Sequence, residues 1–100
     1  MEKEFIYEAL FCDGPESGYV TISIHKTKAG AQLAIKKNKE EEKKKWLESL
    51  EWDLNDRKEW AEKEPDKFKS FKNCTIEKLK RKRPFMRFRS WDIAKTELLN

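Results

Sequence analysis

This sequence is short of the residues from which most catalytic, metal and cofactor sites are assembled: its 100 residues hold one histidine, two cysteines and three glycines. A lone histidine excludes paired-imidazole metal sites. No Cys, Ser or second His stands in a defined nucleophile–base relation to His25, so a surface place at a strand end is the expectation for it. Cys12 and Cys74 lack the CxxC spacing of zinc and redox sites. Two reduced, buried thiols are expected, with a Cys12–Cys74 disulfide left open. Gly14, Gly18 and Gly30 are too few and too scattered for a phosphate loop. Acids are abundant, yet Asp13, Glu16 and the acids of the charged middle follow no ligand spacing for a hard cation. Pro65 and Asp66, with Glu77 beyond, superficially match a PD-(D/E)xK nuclease pattern, but Leu79 stands where that pattern needs lysine and Asp66 falls at an expected helix start. The expectation is therefore no catalytic residue, no metal and no cofactor.

Long apolar runs are also missing. The opening MEKEFIYEALFC carries acids among its first residues, which predicts neither a signal peptide nor a membrane span and gives a cytoplasmic reading with no membrane partner. Charged residues make up 42% of the chain and hydrophobic ones 37%, so any core is small. Four tryptophans and six phenylalanines nevertheless argue against disorder. One α+β domain over residues 1–100 is predicted.

The order of elements follows from hydrophobic period. EFIYEALFC has strand character throughout, and GYVTISIHKT alternates Val20, Ile22 and Ile24 against Thr21, Ser23 and His25. DGPESG between them is a hairpin loop, which makes the two strands antiparallel neighbours. From HKTKAGAQLAI the period becomes helical, with Thr27 as cap and Ala31, Ala34 and Ile35 on one face. The run KKNKEEEKKK has no apolar side chain, but at 100° per residue Ile35, Leu50, Leu54, Trp60 and Ala61 all fall within about 80° of Trp46. The stripe resumes in phase, so one helix over 27–63, about 50 Å long, is predicted, part of which must project, kink or pack on a second element. Trp52 falls about 120° from Trp46 and is expected to be exposed. Pro65 would open a short second helix bearing Phe68 and Phe71, folding back on the Trp46, Leu50, Leu54 stripe. RFRSWDIAKTELL closes the chain as a third strand, with a bulge near Ser90 turning Met86 and Phe88 to the side of Trp91 and Ile93. The fold class is α+β: a small antiparallel sheet of about three strands with one long and one shorter helix.

What the sequence does hold is a concentrated basic stretch, KLKRKRPFMRFRSW, at 78–91. Positions 77–89 carry seven Lys or Arg against one Glu, a local charge of +6 in a chain of net +4, which leaves the remainder at −2. Such a patch steers an anionic partner. Three readings stay open: a solvated, charged edge strand whose aromatics belong to the core; a nucleic-acid grip in which Lys78, Lys80, Arg81, Lys82, Arg83, Arg87 and Arg89 hold phosphates while Phe85, Phe88 or Trp91 stacks on a base; and contact with an acidic protein surface.

The junction TISIHKTKAGAQLAI and the closing WDIAKTELL resemble small accessory proteins common in phage and prophage genomes, in which a hairpin runs into an x-T/S-x-x-x-A-x-x-A helix start and one more strand completes the sheet. The matching residues are Thr27, Ala31, Ala34, Trp91, Ile93, Leu98 and Leu99; the resemblance covers the two ends and not 36–83. It implies a class that acts by occupying a host protein, including components of antiviral defence, within the host cytoplasm. The resulting expectation is a non-catalytic protein that inhibits or redirects a host protein, with candidate contacts at Lys80, Arg81, Lys82, Arg83, Arg87 and Arg89 and at Trp46, Trp52 and Trp60. The alternative is a DNA- or RNA-binding protein using the same basic segment, with a homodimer through the long helix as a further option.

Overall fold

The computed structural model describes residues 3–98. The chain forms β1 (Phe5–Cys12), β2 (Val20–His25), α1 (Lys28–Lys63), a 3-10 turn (Lys69–Asn73), α2 (Ile76–Lys82) and β3 (Ser90–Glu97). The three strands make one antiparallel sheet in the order β2-β1-β3. This is the α+β class read from the sequence, with one long helix and one short one. Two compact units result: residues up to Glu41 together with those from Phe88 onward, and Glu42–Arg87. The helix α1 contributes its first part to one unit and the rest to the other.

In the first unit β1 is central, and its side chains alternate between the two faces of the sheet. Ala9, fully buried, sits opposite Ser23 on one side and Ile93 on the other, and Phe11 sits opposite Trp91 with ring centres 5.0 Å apart. Trp91 donates its indole N–H to Asn38 Oδ1 at 2.8 Å, and the Lys39 ammonium lies 5.2 Å from the ring centre. The beginning of α1 therefore covers the Ala9, Phe11, Trp91 face. Thr27 caps the helix as expected, its Oγ1 accepting from Gly30 N at 3.1 Å. The first turn passes so close to the end of β2 that a Cβ on Gly30 would lie 3.1 Å from His25 Nδ1 and 3.2 Å from Thr27 Oγ1, which accounts for a glycine in a helix. In the hairpin loop Gly18 has φ of 64°, a left-handed conformation that glycine adopts without strain.

Two details of the sheet differ from the sequence reading. The pairing of β1 with β3 runs in unbroken register from Cys12↔Ser90 to Phe5↔Glu97, so there is no bulge at Ser90; the irregularity falls instead between Ala9 and Leu10 in the pairing with β2. In β2 burial does not follow the apolar alternation: Ile24 is 60% and Val20 57% exposed, while Ile22, Ser23 and His25 are half-buried. The register steps from Ala9↔Ser23 to Leu10↔Thr21 and skips Ile22, so the strict alternation breaks there: Val20, opposite Phe11, falls on the face of Ser23 and His25, and Ile24, opposite Glu8, on the other. Leu99, part of the phage-type resemblance, lies outside the described residues.

The second unit is the fold-back that the apolar stripe predicts. The helix ends at Lys63, one residue short of the Glu64–Pro65 bond that disfavours helical backbone, and its stripe is met by the chain that follows. Trp60 packs edge-on against Phe68 at 5.1 Å, and Phe68 stacks on Phe71 at 5.2 Å. Pro65 does not open an α-helix: 65–67 form turns, and the next helical residues are the 3-10 turn, in which side chains three apart eclipse, as the stacked phenylalanines do. Leu50 and Leu79 are fully buried and Ala61 nearly so.

Because so few large side chains are fully buried, each carries much of the packing. Leu50→Ala and Leu79→Ala should each cost about 2–5 kcal/mol in urea unfolding followed by tryptophan fluorescence, and a loss below about 1 kcal/mol at both would contradict a core centred on them.

Candidate interaction surface

The basic stretch is not a strand. Residues 76–82 are the helix α2, 83–89 are a connecting segment, and β3 begins only at Ser90. The reason is local. Thr75 caps the helix, its Oγ1 accepting from Lys78 N at 3.3 Å, and Ile76 and Leu79 supply inward-facing apolar positions three apart. Lys and Arg are good helix formers, and Pro84 stops the helix after its cap residue Arg83. The sequence T-I-E-K-L-K-R-K-R-P thus holds a cap, an acid in the first turn, bases in the last turn and a terminating proline, a helix signature hidden by the overlapping strand pattern.

The candidate cations consequently differ in role. Lys80 is half-buried on α2, its Nζ 3.5 Å from Glu77 Oε1. Arg81 and Lys82 are exposed and make no ion pair among the described residues. Arg83 Nη2 donates to Asp53 Oδ2 at 2.9 Å. Arg87 is exposed and donates from Nη1 to the Lys82 carbonyl at 3.3 Å. Arg89 belongs to the first unit, where it is half-buried with Nε 3.9 Å from Asp13 Oδ1.

The tryptophans separate in the same way. Trp46 is half-buried: its indole N–H donates to the Arg83 carbonyl at 2.8 Å and its ring packs on Phe85 at 5.6 Å, so it pins the end of α2 to α1. Trp52 is 73% exposed, as its angular position predicts. Trp60 is 54% exposed, one side engaged by Phe68. Met86 and Phe88, expected to turn inward, are each 55% exposed, because they precede β3 rather than belong to it.

Asp53 organises this unit. Its two oxygens take Arg57 Nε and Arg83 Nη2, each at 2.9 Å, and the Arg57 guanidinium lies 5.1 Å from the Phe71 ring centre. The hydrogen bond that Arg57 donates to Asp53 is the main cause holding the Arg57 pKa above its ordinary value. With the folded pKa raised, the part of the stability linked to Arg57 protonation is present below its unfolded pKa and is lost as pH rises through the higher folded one, far on the alkaline side.

One contact was not anticipated. Ser23 Oγ lies 2.6 Å from His25 Nε2, a Ser–His pair formed by strand neighbours two apart on one face. The period-two spacing was its available signal. No carboxylate orients His25 among the described residues, and Gly30 of α1 packs against its other ring nitrogen, so the contact reads as packing. Both cysteines are half-buried free thiols. Among the described residues no group of three or more His, Cys, Asp or Glu is placed to hold a metal ion, and no helix is long and apolar enough to cross a membrane. Comparisons with protein-family models, curated proteins and solved structures find no match for this chain.

Asp53→Asn should lower stability by about 1 kcal/mol at low salt and by clearly less near 1 M salt, since both lost pairs are partly solvated. Denaturant unfolding at the two salt concentrations checks this, and a salt-independent loss would contradict an ionic role.

Proposed function

We propose that this protein acts by stoichiometric binding, as a phage-type accessory protein that occupies an acidic surface of a host protein and inhibits or redirects it without catalysis. The observation that carries the reading is the state of the second unit's surface. Arg81 and Lys82 stand exposed without acidic partners among the described residues, and Met86 and Trp52 are exposed apolar side chains of the same unit. Arginine and tryptophan dominate the energetics of protein interfaces, and exposed cations speed encounter with an acidic partner.

The nucleic-acid reading draws on the same cations but has lost two of its three stacking candidates. Phe85 is packed on Trp46, and Trp91 is packed on Phe11 and hydrogen-bonded to Asn38. Base stacking needs a free aromatic face.

Charge reversal tests the proposal. The tagged protein should retain one host protein from lysate in stoichiometric amount, and the Arg81→Glu, Lys82→Glu variant should lose at least about tenfold of that affinity, with Trp52→Ala losing a similar amount if it is an anchor. Retention of nucleic acid alone, released by nuclease and by moderate salt, would refute it.

A further inference from the structure

A cleft of about 400 Å³ lies wholly within the second unit, between α1, the 3-10 turn and α2. Four cations line it, Arg57, Lys78, Arg81 and Lys82, together with Ser70 and Cys74, and no carboxylate is among its lining residues. Its apolar floor includes Leu79, which is buried.

Two of the cations are preset. Arg57 is fixed by Asp53 at 2.9 Å and by the Phe71 ring, and Lys78 Nζ donates to the Asn73 carbonyl at 2.9 Å. The other two, Arg81 and Lys82, have no acidic partner among the described residues. Asp53 offsets one positive charge from behind, so the cleft retains a surplus that one carboxylate of a ligand would leave largely uncompensated. A phosphoryl group matches better: it brings up to two negative charges and three acceptor oxygens, suited to guanidinium and ammonium donors at once. A base is not the feature recognised, because the Phe71 ring is already stacked on Phe68 and covered by Arg57. The volume suits a small molecule rather than a polymer.

We propose that this cleft binds the phosphoryl group of a small phosphorylated molecule, with Arg57 and Lys78 as the prearranged donors and Arg81 and Lys82 completing the site. The site shares Arg81 and Lys82 with the protein-binding reading, but Arg57 and Lys78 belong to the cleft alone and the test below uses no host protein, so either proposal can fail without the other.

The test is a ¹H–¹⁵N titration of the full chain with inorganic phosphate and with adenosine monophosphate, at ionic strength held constant with sodium chloride. Saturable shifts confined to amides around Ser70, Cys74, Lys78 and Arg81 are expected with both. The Arg81→Gln, Lys82→Gln variant, which alters only exposed side chains, should weaken binding about tenfold or more, whereas Lys43→Gln, Lys44→Gln, on exposed helix positions, should leave it unchanged. Shifts that do not saturate, that scatter over all basic residues, or that are equal in the two variants would overturn the proposal. So would a short duplex DNA that binds the cleft far more tightly, per phosphate, than either small ligand, since that would make the site a polymer contact.

Discussion

The helix Lys28–Lys63 carries a narrow apolar stripe among charged residues, and each of the two units is built by covering its own share of that stripe. Isolated helices gain little per residue, and most helical stability in proteins comes from packing. Here packing is supplied at two places. Near its start the helix is covered by the sheet, through Ala31, the close pass at Gly30 and the Asn38–Trp91 hydrogen bond. Beyond Glu42 it is covered by the returning chain, through Leu50, Ala61 and the Trp46 and Trp60 rings. The charged run between contributes solvated helix and pairs such as Lys45–Glu42.

The need to cover the second part of the helix is what gives the basic segment its shape. Leu79 and Ile76 must face inward, so the lysines and arginines interleaved with them face outward or into the cleft. Asp53 then ties both Arg57 and Arg83 into the scaffold and leaves Arg81 and Lys82 without such ties. The division between structural and available cations thus follows from helical spacing on α2 and from one carboxylate on α1.

Much of the architecture was legible because it rests on strong periodicity. The hairpin, the cap at Thr27 and the in-phase stripe across KKNKEEEKKK are all patterns of several residues that agree with one another. The exposed face of Trp52 followed from the same angles. What was not legible involved competing local signals. The stretch 78–91 satisfies both a basic helix and an irregular strand, and the decision lay in Thr75 before it and Pro84 within it, which bound the helix α2. The break in the β2 alternation at Ile22 comes from a register shift that no side-chain pattern marks, and the structural role of Trp46 depends on a backbone carbonyl 37 residues away in sequence. The grouping of Arg57 with Lys78, Arg81 and Lys82 likewise required the fold-back to be known in three dimensions.

The central claim is that the second unit's cations serve a protein surface rather than a nucleic-acid backbone. Its most direct test is the molar mass of the purified protein by light scattering, alone and mixed with short duplex DNA or single-stranded RNA, at low salt and at about 0.15 M salt. The account predicts the mass of the protein alone to be unchanged by either polymer at the higher salt. A mass increase with either polymer that persists there and falls steeply as salt is raised further would contradict it.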